Sequence, residues 1–237
     1  MQGGQSMIFI MGCCVGSFLC ACAFRYNQND LKKYKRSVCP FCRTALNWFD
    51  LIPVISWLML RGKCRTCKKD IPLDHLLCEV LTGFLFVLLV YTTEFPESAI
   101  LMLIYAIVIY AAMCDYYHGL IPDRTHVLLI LLFMMMQAEK ASESFIFSGA
   151  VFVVLFFMAN LSQGMGMGDV KMIASMSLFL TPYSTLCMLF IASFCALVHV
   201  MPSFLSGKHK KRDKIRFAPY LSFGFCAVMM IRSCLNG

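Results

Sequence analysis

Gly164-Met165-Gly166-Met167-Gly168-Asp169-Val170-Lys171 is a polar, glycine-rich interruption between two apolar runs. Asp169 is its centre. A carboxylate at the edge of a hydrocarbon-facing segment is expensive to keep charged, so an ionisable residue there marks a functional candidate by default. Gly166 and Gly168 lack side chains, so the backbone can bend sharply and another chain can come close. That suits a site that admits a peptide. The same residues support a plainer reading, in which Asp169 N-caps a helix starting at Val170 and the glycines form a flexible turn.

The surroundings are apolar in both directions. Of the 237 residues, 59% are hydrophobic and only 14% charged, with a mean hydropathy of +0.72. Runs near the roughly 17–25 residues that a helix needs to cross a bilayer lie at 7–24, 76–93, 98–114, 125–138, 144–161, 170–181, 183–204 and 217–234. Lipid offers no hydrogen-bond partner to an open strand, so these runs are expected to be helices. The fold class is an all-α, polytopic membrane helix bundle with about eight transmembrane helices and a small cytoplasmic insert. The first run, Met7 to Phe24, has no basic stretch before its apolar core and is followed by Arg25, so it reads as an anchor and not as a signal peptide.

Charge sets the expected orientation. Of 21 Lys and Arg, 11 lie between Arg25 and Lys69 and six between Lys208 and Arg216. Both segments are expected on the cytoplasmic side. One crossing per run then places the loops at 94–97, 139–143 and 181–183 outside, where Lys140 is the single positive charge, and the loops at 115–124 and 162–169 inside. The net charge of +8 is explained by topology and by attraction to anionic membrane lipid, with no need of nucleic acid. Three regions follow: a first transmembrane helix at 1–24, a cytoplasmic insert at 25–75, and a transmembrane core at 76–237.

The insert is too small to hold itself together by a core alone and needs a staple. Cys39-Pro40-Phe41-Cys42 and Cys64-Arg65-Thr66-Cys67 are two C-x-x-C pairs separated by 21 residues. Paired knuckles of this kind read as a tetrahedral zinc site, structural because four cysteines leave no coordination position open. Two disulfides are the alternative, which a cytoplasmic location disfavours. Between the pairs, Leu51 to Leu60 is apolar yet too short to span. With Trp48 and Trp57 it is expected to rest at the membrane interface. Glu79, near the start of the second run, either faces a cavity or pairs with a basic residue of the insert. Gly16-Ser17 at the end of the first run reads as close helix packing.

The third run carries no charge until Asp115 at its inner end, before His118 and the turn Gly119-Leu120-Ile121-Pro122-Asp123. Asp123 follows a proline and precedes an apolar run, so an N-cap is its easiest reading. His118 reads as a boundary residue. Asp115 has no such role, because a negative charge at a helix C-terminus opposes the dipole. The topology brings Asp115 and Asp169 to the inner ends of different helices, at similar depth. Two facing carboxylates cannot both ionise cheaply, so one keeps a proton. The charged one can then act as general base on a water while the other polarises a carbonyl. Asp169 at a helix N-terminus favours the base role for it.

With those residues in view, the chain resembles the type IV prepilin peptidases, membrane aspartyl proteases of the Gly-x-Gly-Asp kind. The likeness runs from Gly16-Ser17-Phe18-Leu19 through both cysteine pairs, Pro53-Val54-Ile55-Ser56-Trp57, Glu79-Val80-Leu81-Thr82-Gly83, Asp115, Ile121-Pro122-Asp123 and Gly166-Met167-Gly168-Asp169-Val170-Lys171 to Phe217-Ala218-Pro219-Tyr220. It departs at Cys20, where the family usually has asparagine, and at Ala218, where glycine is common. The resemblance implies that Asp115 and Asp169 are the catalytic pair, with Gly166, Gly168, Lys171, Asp123 and Glu79 in support. It implies prepilin and pseudopilin substrates, cut on the cytoplasmic side of a bacterial inner membrane. Many relatives also methylate the new N-terminus with S-adenosylmethionine, and the two cysteine pairs point to that bifunctional type. A proton- or ion-coupled transporter is the alternative from another class; it needs carboxylates near the midplane, whereas both aspartates lie at helix ends.

Overall fold

The computed structural model describes residues 2–26, 37–137, 141–162, 165–205 and 215–236. Gly164, Lys140, the cations from Lys32 to Arg36 and those from Lys208 to Lys214 lie outside the described residues. Among the described residues the helices are α1 (Gln2–Arg25), α2 (Ile55–Met59), α3 (Leu73–Thr92), α4 (Glu97–His118), α5 (Asp123–Gln137), α6 (Ala141–Ser162), α7 (Met167–Ser177), α8 (Pro182–Leu205) and α9 (Ala218–Asn236). They form two compact units, Met1–Ser98 and Ala99–Gly237.

Six helices, α1, α3, α4, α6, α8 and α9, are long and apolar enough to cross a membrane. The other two expected spans are shorter than their apolar runs suggested. α5 has 15 residues and α7 has 11, so at about 1.5 Å per residue α7 is roughly half the hydrocarbon thickness. The reason lies in what surrounds it. From Val170 to Leu180 every residue except Lys171 is buried, so α7 is enclosed by protein and need not match the bilayer.

In the first unit α1 packs along α3 through small residues. A Cβ on Gly12 would come within 2.7 Å of Gly83 Cα, and one on Gly16 within 2.9 Å of the Cys78 carbonyl oxygen. Lipid is as apolar as leucine, so helices there associate through close contact and not through the hydrophobic effect. Gly12→Ala is therefore expected to push backbone from backbone and destabilise this unit by about 1–3 kcal/mol, read as a lower unfolding temperature in detergent.

In the second unit the core is built around α7. Met172, Ile173 and Met176 are almost fully buried, together with Ile104, Tyr105 and Val108 of α4, Leu129 and Phe133 of α5, Met188 of α8, and Leu221 and Phe225 of α9. Phe179, just past α7, stacks edge-on to both Phe133 and Phe225. Arg232 of α9 donates to the Phe179 carbonyl at 2.9 Å. Ser148 of α6 donates to the Ala174 carbonyl at 2.7 Å. Such bonds give an enclosed helix polar partners that water cannot supply.

Candidate functional site

The N-terminal end of α7 is the Gly166–Asp169 stretch. The helix starts at Met167 with Gly166 as its N-cap, three residues earlier than the capping reading of Asp169 places it. Asp169 is not the cap but sits inside the first turn. A Cβ on Gly168 would stand 3.4 Å from Ile121, and one on Gly166 would stand 3.4 Å from Asp169 Oδ2, both ordinary van der Waals distances. Neither glycine has the left-handed backbone that only a missing side chain permits, so sharp bending is not their use.

Asp115 lies in the last turn of α4, which closes at His118, and is 8% exposed. A carboxylate there opposes its own helix dipole, yet it is turned toward a different helix. Its Oδ2 accepts the Ala218 N–H of α9 at 3.2 Å, and Arg216 is near enough to act on it. A helix N-terminus presents unpaired N–H groups and the positive end of the dipole, so it is a natural seat for an anion. Pro219, with no N–H of its own, suits the first turn of that helix.

The charge of Asp115 acts on Asp169. Burial, and then the charge of Asp115, push the Asp169 carboxyl up to about 6, against a hydrogen bond from the Gly166 backbone. The ends of α4 and α7 that carry the two expected site residues are thus near enough for the charge of one to act on the other.

Asp123 is the first residue of α5, and its carboxylate is not spent on the helix end. It accepts Lys171 Nζ at 2.7 Å, and this bond with the lysine charge holds its carboxyl below the usual range. One turn deeper, His126 Nδ1 and Ser175 Oγ lie 3.2 Å apart. Asp123 and His126 are three residues apart on α5, and Lys171 and Ser175 four apart on α7, so each pair shares a face. The two contacts join α5 to α7 immediately behind Asp169. Sequence reasoning missed His126, Ser175 and the Ala218 N–H. The first two were legible as polar residues at helical spacing from Asp123 and Lys171; the third was signalled by Ala218-Pro219.

In the first unit Glu79 is placed by a backbone contact. It is 8% exposed and accepts the Val54 N–H at 2.7 Å, holding the turn into α2. The four cysteines converge, their sulfurs all within 4.8 Å of one another, with Cys39 and Cys67 3.9 Å apart. Sulfurs about 2.3 Å from a shared tetrahedral ion are about 3.8 Å from each other, so the cluster fits a metal. The two knuckles are alike. Arg43 and Lys68, each just after the second cysteine, have positive φ and donate to the carbonyls of Cys39 and Cys64. All four cysteines are free thiols, which sets the disulfide alternative aside. Hydrogen bonds from Thr44 draw the Cys42 thiol down to about 6, while burial pushes Cys39 up to about 11.

These features define a multi-pass, all-helical membrane protein with one buried and one half-buried carboxylate, Asp115 and Asp169, at the ends of two of its helices. Residues 10–93 match the bacterial peptidase A24 N-terminal domain and residues 102–201 match the type IV leader peptidase family. The chain belongs to the type IV leader peptidase family. A prepilin leader peptidase/N-methyltransferase of Bacillus subtilis (strain 168) is 28% identical over 92% of this chain and 91% of that protein. The type 4 prepilin-like proteins leader peptide-processing enzyme of Escherichia coli O78:H11 is 28% identical over 84% of this chain and 76% of that protein. A prepilin leader peptidase/N-methyltransferase of Vibrio cholerae serotype O1 is 27% identical over 69% of each. No solved structure matches the chain.

Proposed function

We propose that the chain is a membrane aspartyl endopeptidase that removes the leader peptide of type IV prepilins and pseudopilins, with Asp115 and Asp169 as its catalytic pair. The observation that supports this is a buried carboxylate, Asp115, whose charge acts on a half-buried one, Asp169, at the ends of α4 and α7. The family match supplies the reaction class.

The Ala218 N–H on Asp115 and the raised carboxyl of Asp169 support a division of roles opposite to the expectation from Asp169's helix end. Asp115, seated on the α9 N-terminus, carries the charge and activates the water. Asp169 keeps its proton and donates a hydrogen bond to the scissile carbonyl. As the tetrahedral intermediate collapses, the proton on Asp115 passes to the leaving amine. The pair titrates as a unit, and the acid is lost as pH rises through about 6. The alkaline limb of kcat/KM, which reports free enzyme, is expected near that value. Bound substrate excludes water and favours the neutral acid further, so the limb of kcat is expected at higher pH. Coincident limbs would refute this assignment. Asp123, exposed and paired with Lys171, is expected to tolerate replacement: Asp123→Asn retains most of the cleavage rate in the same assay.

Cys39, Cys42, Cys64 and Cys67 would hold zinc. The ion would supply a closed, structural cross-link, leaving hydrolysis to the aspartates. We also propose that the chain methylates the new N-terminal residue with S-adenosylmethionine, the second activity in the names of its relatives. Among the described residues no strand leads into a glycine-rich helix start of the kind that cradles such a donor, so no residue is assigned to it. The placement in a bacterial inner membrane, with the insert and the aspartates facing the cytoplasm, rests on the charge bias of the loops. Cleavage of a prepilin precursor by the purified protein, with product mass measured with and without S-adenosylmethionine, tests both activities.

A further inference from the structure

The insert between α1 and α3 carries large apolar side chains that the described residues leave uncovered. Trp48 is 77% exposed and Met59 76% exposed, and Leu51, Ile55 and Leu58 are exposed with them. They occupy a 3-10 turn at Trp48–Leu51 and the short helix α2. None belongs to a segment long enough to cross a membrane, so the hydrocarbon core does not account for them. An apolar patch of this kind on a small hydrophilic module marks an interaction surface.

Depth says what covers it. Glu79 lies six residues into α3, counting on from Leu73, or about 9 Å along the helix axis. Its carboxylate takes the Val54 N–H at the start of α2. Val54 adopts φ 61° and ψ −53°, a conformation that β-branched residues rarely take, so the bond fixes the turn at a specific place. α2 is thus held beside the first turns of a membrane-crossing helix and not above it.

Charge agrees with this depth. Asp50 is the single acidic residue from 37 to 69, and Arg65 neutralises it through Nε and Nη2 at 3.0 and 2.8 Å. Arg61, Lys63, Lys68 and Lys69 are exposed. The Lys69 ammonium lies 4.6 Å over the Phe41 ring and the Arg65 guanidinium 4.7 Å over the Phe49 ring, cation–π contacts that hold positive charge against the apolar surface. Apolar side chains ringed by cations match a layer of anionic lipid headgroups.

We infer that the Trp48–Met59 segment is an interfacial anchor, which beds Trp48, Leu58 and Met59 into the headgroup layer of an anionic bilayer at a depth set by Glu79. The anchor does not depend on the peptidase reading. The chain has two tryptophans, and they face differently. Trp57 is turned onto Gly62, where a Cβ would meet its ring at 2.8 Å, and its Nε1 donates to the Ile71 carbonyl at 3.4 Å. The difference in emission between wild type and Trp48→Phe therefore isolates Trp48.

The test places the full chain in nanodiscs of phosphatidylcholine and phosphatidylglycerol whose acyl chains are brominated near the glycerol. Trp48 emission is expected to be blue-shifted and quenched, and the quenching is expected to weaken when phosphatidylglycerol is replaced by phosphatidylcholine. Water-like, unquenched Trp48 emission overturns the anchor, and is the result expected if a soluble partner or the substrate covers this face instead. Equal quenching in both lipids overturns the assignment to anionic headgroups.

Discussion

Asp115→Asn and Asp169→Asn are each expected to yield a folded, membrane-inserted protein that cuts prepilin ~10²–10⁴-fold more slowly than wild type. Asparagine preserves shape at both positions. Its amide oxygen can still accept the Ala218 N–H that Asp115 accepts, so the α4–α9 contact survives. What it removes differs between the sites. At Asp115 it takes away the negative charge that activates water, and at Asp169 the proton that polarises the carbonyl. Because the two act in one step, the double variant should be scarcely slower than either single one. Product mass against time, on protein shown to be folded by its unfolding temperature, reads the effect. Undiminished cutting by either variant would remove that residue from the mechanism.

Stripping the metal from the cysteine cluster is the other large effect. A structural thiolate site contributes roughly 10–16 kcal/mol of apparent binding free energy. Among the described residues the insert's other ties are few: two isolated antiparallel bridges, Val38–Ala45 and Lys63–Asp70, the Arg65–Asp50 pair, and the Val54–Glu79 and Trp57–Ile71 hydrogen bonds. Cys64→Ser, or a strong chelator, is therefore expected to unfold residues 37–72. Limited proteolysis within the insert and rapid alkylation of the remaining thiols would report it. The sign of the pH dependence follows from the thiols, since the metal binds thiolates. Cys42, drawn down to about 6, is ionised at neutral pH, whereas Cys39, pushed up to about 11, must release a proton to the ion. Metal loss should accordingly set in as pH falls. A Cys64→Ser protein that keeps full metal content and resists protease would show that the cluster is no metal site.

Much of this was legible in the chain. Composition alone required helices in lipid, because an apolar chain of this kind cannot satisfy open strands there. The spacing of Cys39, Cys42, Cys64 and Cys67 announced a tetrahedral cluster, because knuckle geometry is local and short loops reproduce it wherever they fold. Asp115 and Asp169 stood out because charge at the end of an apolar run is costly, a property that each residue shows by itself. Gly12 was invisible as a contact, since a glycine in an apolar run shows nothing of the backbone that will press against it.

The particular pairings came only with the fold. Apolar length could not show that α7 is enclosed by its neighbours and therefore stops at 11 residues. Local capping rules gave Asp169 and Asp123 to their own helices, whereas one feels the charge of Asp115 and the other holds Lys171. Nothing near Glu79 in sequence pointed to the Val54 N–H, 25 residues earlier. The sequence by itself determined the solvent, the helices, the cysteine knuckles and the two carboxylates as candidates, because each follows from residue type and short-range spacing. Which backbone N–H the Asp115 carboxylate meets was decided by the tertiary structure. Its partner is Ala218, more than a hundred residues away in the chain, and long-range contacts leave no periodicity to read.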